Sequence, residues 1–246
     1  MFQVTCTANC ASFSWADKTG NLPDIPVDSI IVNPKWSQQV FAGTDWGLYY
    51  TDNVSAASPV WNRFDNGLPH AMIWDMQIDR GSTTLSVWTR SRGAYVWPLP
   101  SAPALNLTSV VSRMTHGSAG TFDVDLTSGN GIECRTADAN NSYTMVFTFS
   151  NMVPNCGAAN LGTLNNGPNS NQCSVQVAAP NGQHTTVQLT GVTDINGTIG
   201  NFSGTIGVLV GDTNADTFVD SGDISQTKSQ SGNPVAISNF REDINL

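Results

Sequence analysis

Charged side chains are scarce in this 246-residue chain. They make up 12% of the residues, and the 19 acidic residues outnumber the 10 Lys and Arg, which gives a formal net charge of −9. A surface of this sign repels nucleic acid and anionic membranes, so neither is an expected partner, whereas divalent cations are favoured. No stretch approaches 18 consecutive apolar residues, so a transmembrane helix is not expected.

Paired metal-binding motifs are also missing. The five cysteines include no CxxC pair and the three histidines are scattered, so a zinc site is not expected. Cys156 and Cys173 flank a Gly- and Asn-rich segment typical of a long loop, and we expect them to form a disulfide in an oxidising compartment. The odd number of cysteines leaves at least one thiol unpaired. The first ten residues have neither the basic nor the apolar region of a signal peptide.

Turn-forming residues are abundant. Gly, Asn, Ser and Thr are plentiful and hydrophobic residues reach 39%, a composition typical of secreted β-proteins. Short strand patterns separated by turn residues run along most of the chain. We therefore predict an all-β fold in one large or two ordinary domains, and an extracellular location with the signal and the N-terminal part absent from this chain.

Residues 15–100 contain an internal repeat. The pairs Leu22-Pro23 and Leu68-Pro69 stand 46 residues apart, and similar strand patterns follow each pair. The predicted strands span residues 29–32, 39–42 and 47–50, and then 73–78, 84–88 and 93–97. A period of about 40–50 residues with strand-like content predicts the blades of a β-propeller.

This repeat resembles that of Asp-box β-propellers of the sialidase, xyloglucanase and sortilin type. The matching features are Trp15, the GNLP run at 20–23, the NGLP run at 66–69, the Gly-Thr-x-x-Gly-Leu-Tyr run at 43–49 and the Arg-Gly-Ala-Tyr run at 92–95. The resemblance implies two blades in residues 1–100, whereas a propeller needs at least four. Unclosed blades expose sheet edges, so we expect a homo-oligomer built through them.

The apolar residues of the blades bear on possible partners. Six of them are expected to form the exposed apolar faces: Trp15, Ile31, Phe41, Trp46, Trp74 and Trp88. Most of the seven Trp match core positions of the blades, so we predict a core role for them rather than a sugar-stacking platform. Both a carbohydrate and a protein remain open as the ligand.

The same resemblance brings a catalytic expectation. Asp-box glycosidases use a pair of carboxylates that face the central funnel. Asp45 and Asp75 are the nearest candidates here, although neither matches a catalytic motif of the family. Two blades do not form such a funnel, so these residues are not predicted to be a catalytic pair.

A second all-β segment follows a linker at residues 101–108. About seven short strands between residues 109 and 210 predict a β-sandwich, which resembles the sandwich that precedes dockerin-like tails in large secreted bacterial proteins. Its start holds a His among carboxylates, a combination that suits metal binding or acid–base work. His116, Asp123 and Glu133 are therefore the candidate catalytic residues, against the alternative of an acidic surface that is merely solvated.

The most informative stretch runs from residue 212 to residue 223. Oxygen-bearing side chains fall at its positions 1, 3, 5, 9 and 12, and position 7 offers a backbone carbonyl. The predicted ligands are Asp212, Asn214, Asp216, Phe218 (carbonyl), Asp220 and Asp223. This is the ligand spacing of an EF-hand-type calcium loop, with a helix expected to follow. Position 6 needs positive φ but carries Thr217 in place of Gly, so we expect modest affinity.

The loop resembles the calcium repeat of type I dockerins, which use two such repeats with Asp at position 12. A second repeat begins at Asp243-Ile244-Asn245, where the chain ends, so residues 211–246 resemble half a dockerin. The Ser/Thr pair that dockerins present to cohesin is Ser221 and Gly222 here, which leaves cohesin binding in doubt.

These patterns support two functional hypotheses. The first is a calcium-binding C-terminal fragment of a secreted bacterial multidomain protein that acts as an accessory or interaction module. The alternative is a metal-dependent hydrolase of esters, phosphoesters or glycosides, found as a metagenomic fragment. No GxSxG motif, Ser/His/Asp spacing or phosphate-binding loop favours the second.

Overall fold

A computed structural model of the protein describes residues 1–7, 9–127 and 131–245. The chain forms two units that divide after Pro103. Strands dominate both units, and the described residues contain a single α-helix. The all-β prediction is confirmed, and the division lies within the predicted linker.

Unit 1 begins with a hairpin and continues as two antiparallel meanders. The hairpin joins β1 (Phe2–Thr7) and β2 (Ser12–Asp17). The first meander contains β3 (Val27–Val32), β4 (Val40–Thr44), β5 (Gly47–Thr51) and β6 (Asn62–Arg63); the second contains β7 (Ile73–Ile78), β8 (Thr84–Thr89) and β9 (Gly93–Pro98). Each repeat thus forms its own sheet, as predicted. The described sheets do not close into a propeller ring.

Side chains point alternately to the two faces of each strand, and they form two small hydrophobic cores in unit 1. Phe41 on β4 and Ile73 on β7 belong to one buried cluster, which also contains Leu85 and Val87 of β8. The neighbours of Phe41 on β4 point to the opposite side and join a second cluster around Trp61. Both faces of β4 are therefore buried.

The predicted core role of the tryptophans is wrong for most of them. Trp15, Trp46, Trp74 and Trp88 are exposed, and Trp15 keeps 69% of its accessible surface, whereas only Trp61 is buried. Two of the six residues that were predicted on exposed apolar faces are not exposed: Phe41 is buried and Ile31 is half-buried. The physical reason is the two-residue period of a strand. Leu85 and Val87 of β8 occupy the core face, which leaves Trp88 on the outer face.

Unit 2 is a sandwich of two sheets. The strands of the first sheet are, in spatial order, β11 (Gly120–Asp125), β10 (Leu107–His116), β13 (Tyr143–Phe149), β16 (Gln172–Val177) and β15 (Thr163–Asn166). Those of the second are β12 (Ile132–Glu133), β18 (Ile199–Val208), β17 (Gln183–Thr193) and β14 (Ala158–Ala159). One buried cluster contains residues of both sheets, such as Phe147 and Val175 of the first and Leu189 and Ile206 of the second.

Four of the five cysteines form disulfides, and one of these disulfides was predicted. A disulfide joins Cys156 and Cys173, which confirms the prediction for the loop between them. A second disulfide joins Cys6 and Cys10 at the end of the β1–β2 hairpin and was not predicted. Cys134 is the free thiol and is buried in unit 2.

Candidate metal centre and the buried charge cluster

The predicted calcium loop leads from the end of β18 into the helix α1 (Ser221–Ser229). Its first and last acidic residues are buried: Asp212 is fully inaccessible and Asp223 keeps 2% of its surface. The middle of the loop, from residue 214 to residue 220, is exposed. The loop is thus anchored at both ends by carboxylates that are not in contact with water.

Asp223 binds the two ends of the loop together. Its Oδ1 accepts hydrogen bonds from the backbone N–H groups of Thr213 and Asn214 at 2.8 and 3.2 Å, and its Oδ2 accepts from Asp220 N–H at 2.9 Å. Asp220 in turn accepts from Gly222 N–H, so the start of α1 carries a reciprocal capping box. The Asp220 N–H bond, followed by those of Asn214 and Thr213, holds the pKa of Asp223 below its usual value.

Asp212 organises the first half of the loop in the same way. Its two oxygens accept from the backbone N–H groups of Asp216 and Thr217 at 3.1 and 2.9 Å. The side chain of Asn214 donates to Asp216 Oδ2 at 2.9 Å, and Asp216 Oδ1 accepts from Phe218 N–H. The carboxylates of Asp212 and Asp216 therefore accept hydrogen bonds from backbone N–H groups of the same loop.

The backbone makes the sharp turn that the loop spacing requires. Thr217 has a φ of 76° and Ala215 a φ of 62°, both in the left-handed region. The expectation of positive φ at position 6 is confirmed. A β-branched residue fits this region poorly, and left-handed backbone at a non-glycine residue costs about 1–2 kcal/mol.

The predicted ligands share one loop, and its two buried carboxylates accept backbone N–H groups: Asp212 from Thr217 and Asp223 from Asp220. Within residues 1–7, 9–127 and 131–245, no group of three or more His, Cys, Asp or Glu side chains is arranged to hold a metal ion. The calcium site therefore stays a prediction.

Two of the catalytic candidates lie in a buried charge cluster of unit 2. Glu133 and Arg135 have fully inaccessible side chains and form an ion pair, with Arg135 Nε and Nη2 each 2.7 Å from a carboxylate oxygen of Glu133. The remaining N–H groups of Arg135 reach the carbonyls of Ser112 and Phe122 and the ring of His116. All five N–H directions of the guanidinium are thus used.

His116 connects this ion pair to the C-terminal tail. Its Nε2 lies 3.1 Å from Arg135 Nη1, which can only donate, so Nε2 accepts and the ring proton sits on Nδ1. Nδ1 then donates to Asp243 Oδ2 at 2.7 Å. The third candidate, Asp123, lies apart from this cluster and pairs with Arg113 through two hydrogen bonds of 2.7 and 2.6 Å.

The tail around Asp243, which belongs to unit 2, packs against the sandwich of that unit. Phe240 stacks on Phe122 with ring centroids 5.3 Å apart and lies 5.3 Å from the guanidinium of Arg135. Arg241 donates to the carbonyl of Ile132, and the carbonyl of Ile244 accepts from Thr136 N–H. The start of the predicted second repeat therefore serves to hold the tail, a contact over 127 residues of chain that no local pattern indicates.

The carboxylates considered for a funnel have ordinary surroundings. Asp75 accepts a hydrogen bond from the N–H of Met76. Asp45 lies close to Asp28, and desolvation, followed by the negative charge of Asp45, raises the pKa of Asp28. Neither geometry assigns these residues a role.

Comparison with known proteins adds one finding on structure. No protein-family model matches the chain, and no curated protein matches it significantly. Among solved structures, the chain is similar to the extracellular domain of a hybrid two-component system of B. thetaiotaomicron, with a TM-score of 0.26 and 10% identity over 84% of the chain. The match spans 30% of the length of that solved extracellular domain. No helix in the described part of the chain is long and apolar enough to span a membrane.

Proposed function

We propose that this chain is a calcium-binding accessory or interaction module of a secreted bacterial modular protein. The single observation that supports it most is the loop at residues 212–223. Its two end carboxylates, Asp212 and Asp223, are buried, and neither forms an ion pair with a described Lys, Arg or His side chain. Buried carboxylates favour a cation that can share their charge.

The donor set fits calcium chemically. Five side-chain oxygen donors and the carbonyl of Phe218 would supply six ligands, and Ca²⁺ takes six to eight oxygens in flexible geometries. Each oxygen of Asp212, and Oδ2 of Asp223, accepts one backbone N–H and keeps a second lone pair, so these hydrogen bonds need not be lost when an ion binds. Asn214 and Asp216 would exchange their mutual hydrogen bond for the ion.

Secretion and a propeller-derived origin of unit 1 belong to the same proposal. Disulfides such as Cys156–Cys173 persist mainly in oxidising compartments, which supports an extracellular location. The two meanders of unit 1 have the antiparallel order of propeller blades, which supports the resemblance of the repeat to Asp-box propellers.

Calcium-dependent thermal stability tests this proposal. A ligand that binds only the folded state stabilises it by about 2.7 kcal/mol when its concentration is 100 times its dissociation constant. We expect Ca²⁺ at millimolar concentration to raise the melting temperature of the intact chain, and Asp216→Ala, which removes an oxygen ligand, to abolish the rise. Asp216 is exposed, so this change leaves the buried carboxylates in place. Asp65→Ala, at an exposed acid of unit 1, is the matched control and should keep the full rise.

We further propose that two copies associate through unit 1. The hairpin exposes Phe2, Phe13 and Trp15 to 64%, 61% and 69%, and Trp74 is exposed to 64%. Soluble monomers rarely expose large apolar patches, and a twofold symmetric contact is the common way to cover one. Light scattering at tens of micromolar should give a dimeric mass that Trp15→Ser reduces; a strictly monomeric mass of the unsubstituted chain would contradict this proposal.

No observation favours the alternative of a metal-dependent hydrolase. His116 and Glu133 have fully inaccessible side chains and are bound within the charge cluster, and Asp123 is held by Arg113. A structural role accounts for each of these contacts.

A further inference from the structure

Unit 1 contains a cavity of about 390 Å³ that the proposed function does not use. It lies along the first meander and is lined by aromatic rings and polar side chains, among them Trp36, Tyr50, Asp52, Phe64 and Asn66. Its volume falls within the range of sites that bind small ligands. The calcium loop belongs to the other unit, so this site is independent of it.

The aromatic wall of the cavity is held rigidly by its own packing. Phe41 and Tyr50 are cross-strand partners on β4 and β5, with ring centroids 6.3 Å apart. Tyr50 packs edge-on against Phe64 at 6.2 Å, and Phe64 packs against Trp97 at 5.0 Å. The rings of Tyr50 and Phe64 are only partly buried, although both continue from the core cluster of this unit. A preformed apolar surface therefore remains open to a ligand.

A buried chain of amides fixes a carboxylate beside this wall. Asn33, which is inaccessible, donates to Gln39 Oε1 at 2.9 Å, and Gln39, which is 3% exposed, donates to Asp52 Oδ1 at 2.8 Å. The described residues leave Asp52 Oδ2 without a hydrogen-bond partner. Asn33 also donates to the carbonyl of Pro100 at 2.8 Å and accepts from the N–H of Lys35, so this buried amide chain fixes both Pro100 and Asp52, which line the cavity.

The polar groups of the cavity include both hydrogen-bond donors and a hydrogen-bond acceptor. Tyr50 Oη, Trp36 Nε1 and Asn66 Nδ2 are donors for which the described residues provide no acceptor, while Asp52 Oδ2 is a free acceptor. Arg63 is neutralised by Asp65, with Nε 3.0 Å from Oδ1. A ligand that suits this mixture carries hydroxyl groups, which donate and accept, and an apolar face that packs on aromatic rings.

We propose that this cavity binds a neutral sugar residue of an oligosaccharide. A pyranose ring offers hydroxyls at its edge for Asp52 and Asn66 and C–H groups on its face for Trp36 and Tyr50. A cationic amine would suit the rings and Asp52, but it would leave the N–H and O–H donors without an acceptor. The free donors therefore decide for a hydroxylated ligand.

The test is binding of the intact chain to neutral hexasaccharides of β-1,4-linked glucose, xylose and mannose, followed by ligand-observed NMR and calorimetry. Choline serves as the cationic probe. We expect at least one hexasaccharide to bind, with affinity reduced about tenfold or more by Trp36→Ala and by Asp52→Asn. Trp88→Ala removes an exposed Trp outside the cavity and should leave the affinity unchanged.

Two further features make the outcome decisive. Tyr50→Phe removes one hydroxyl without changing the packing, so it should weaken sugar binding several-fold even if Trp36→Ala fails to fold. EDTA should leave sugar binding intact, which separates this site from the calcium loop. The proposal is overturned if none of the three hexasaccharides binds, if Trp88→Ala weakens binding as much as the cavity variants, or if choline binds more tightly than each sugar.

Discussion

Removing the guanidinium of Arg135 tests whether the buried charge cluster is structural. Arg135→Met leaves the carboxylate of Glu133 fully buried, with the N–H of residue 135 as its remaining close donor. Breaking a buried ion pair in this way costs about 3–5 kcal/mol. With a urea dependence of about 2 kcal/mol per molar, the unfolding midpoint of unit 2 should fall by about 2 M.

The chain itself supplies the assay for this prediction. All seven Trp lie between residues 15 and 97, so tryptophan fluorescence reports on unit 1 alone. Cys134 is the free thiol and is buried in unit 2, so pulse labelling of this thiol across a urea series reports on unit 2. We expect the labelling midpoint to fall in Arg135→Met while the fluorescence midpoint of unit 1 stays unchanged.

Arg113→Met is the matched control. Arg113 pairs with Asp123 at 2.6 Å, but the two side chains keep 27% and 36% of their surface. Exposed pairs contribute about 0–1 kcal/mol, so the midpoint should hardly move. Combining Arg135→Met with Glu133→Leu removes the unpaired charge and should recover at least half of the loss. Equal midpoints for Arg135→Met and Arg113→Met would refute the structural role of the cluster.

Three further predictions concern the thiols and one surface carboxylate. Burial raises the pKa of the Cys134 thiol to about 11, so iodoacetamide at pH 8 should leave native Cys134 unmodified and label it only on unfolding; rapid native labelling would contradict its burial. The Cys156–Cys173 disulfide closes a separation of 17 residues, and replacing both by Ser should lower the unfolding free energy by about 3 kcal/mol, whereas peptide mapping that finds both thiols free would remove the premise. Hydrogen bonds from Ser142 lower the pKa of Asp138, so its carboxylate stabilises the fold above the ordinary Asp pKa and this contribution is lost as pH falls through the lower folded value. The stability gap between the unsubstituted chain and Asp138→Asn should thus be larger at pH 6 than at pH 3, and a gap that is independent of pH would argue against this account.

Strands with one covered face could be predicted from the sequence. The pattern at residues 73–78 gave β7 with the correct ends, because its apolar residues mark a face that is buried. The β1–β2 hairpin was missed, since all of its residues are exposed and its apolar side chains carry no sign of a core. β10 was also not predicted, although buried residues alternate with more exposed ones along its second half.

The candidate sites could be predicted only where the residues that form them are close together in the sequence. The spacing of residues 212–223 indicated the loop, the turn at Thr217 and a helix after Asp223, although the helix begins three residues earlier, at Ser221. The direction of the carboxylates was not predictable, because it depends on which backbone N–H groups the turn brings near them. The pairing of His116 with Asp243 and the cavity beside Tyr50 arise from tertiary packing, which local spacing does not encode.

Direct titration of the intact, metal-free chain with Ca²⁺ tests the central claim. Isothermal calorimetry should show one saturable site with a dissociation constant below the millimolar range, and Asp216→Ala should remove the heat of binding while Asp65→Ala retains it. Thr217→Gly should tighten binding, because glycine adopts the φ of 76° at this position without strain. No heat of binding up to several millimolar Ca²⁺, or a heat that is unchanged in Asp216→Ala, would contradict the proposal that residues 212–223 form a calcium site.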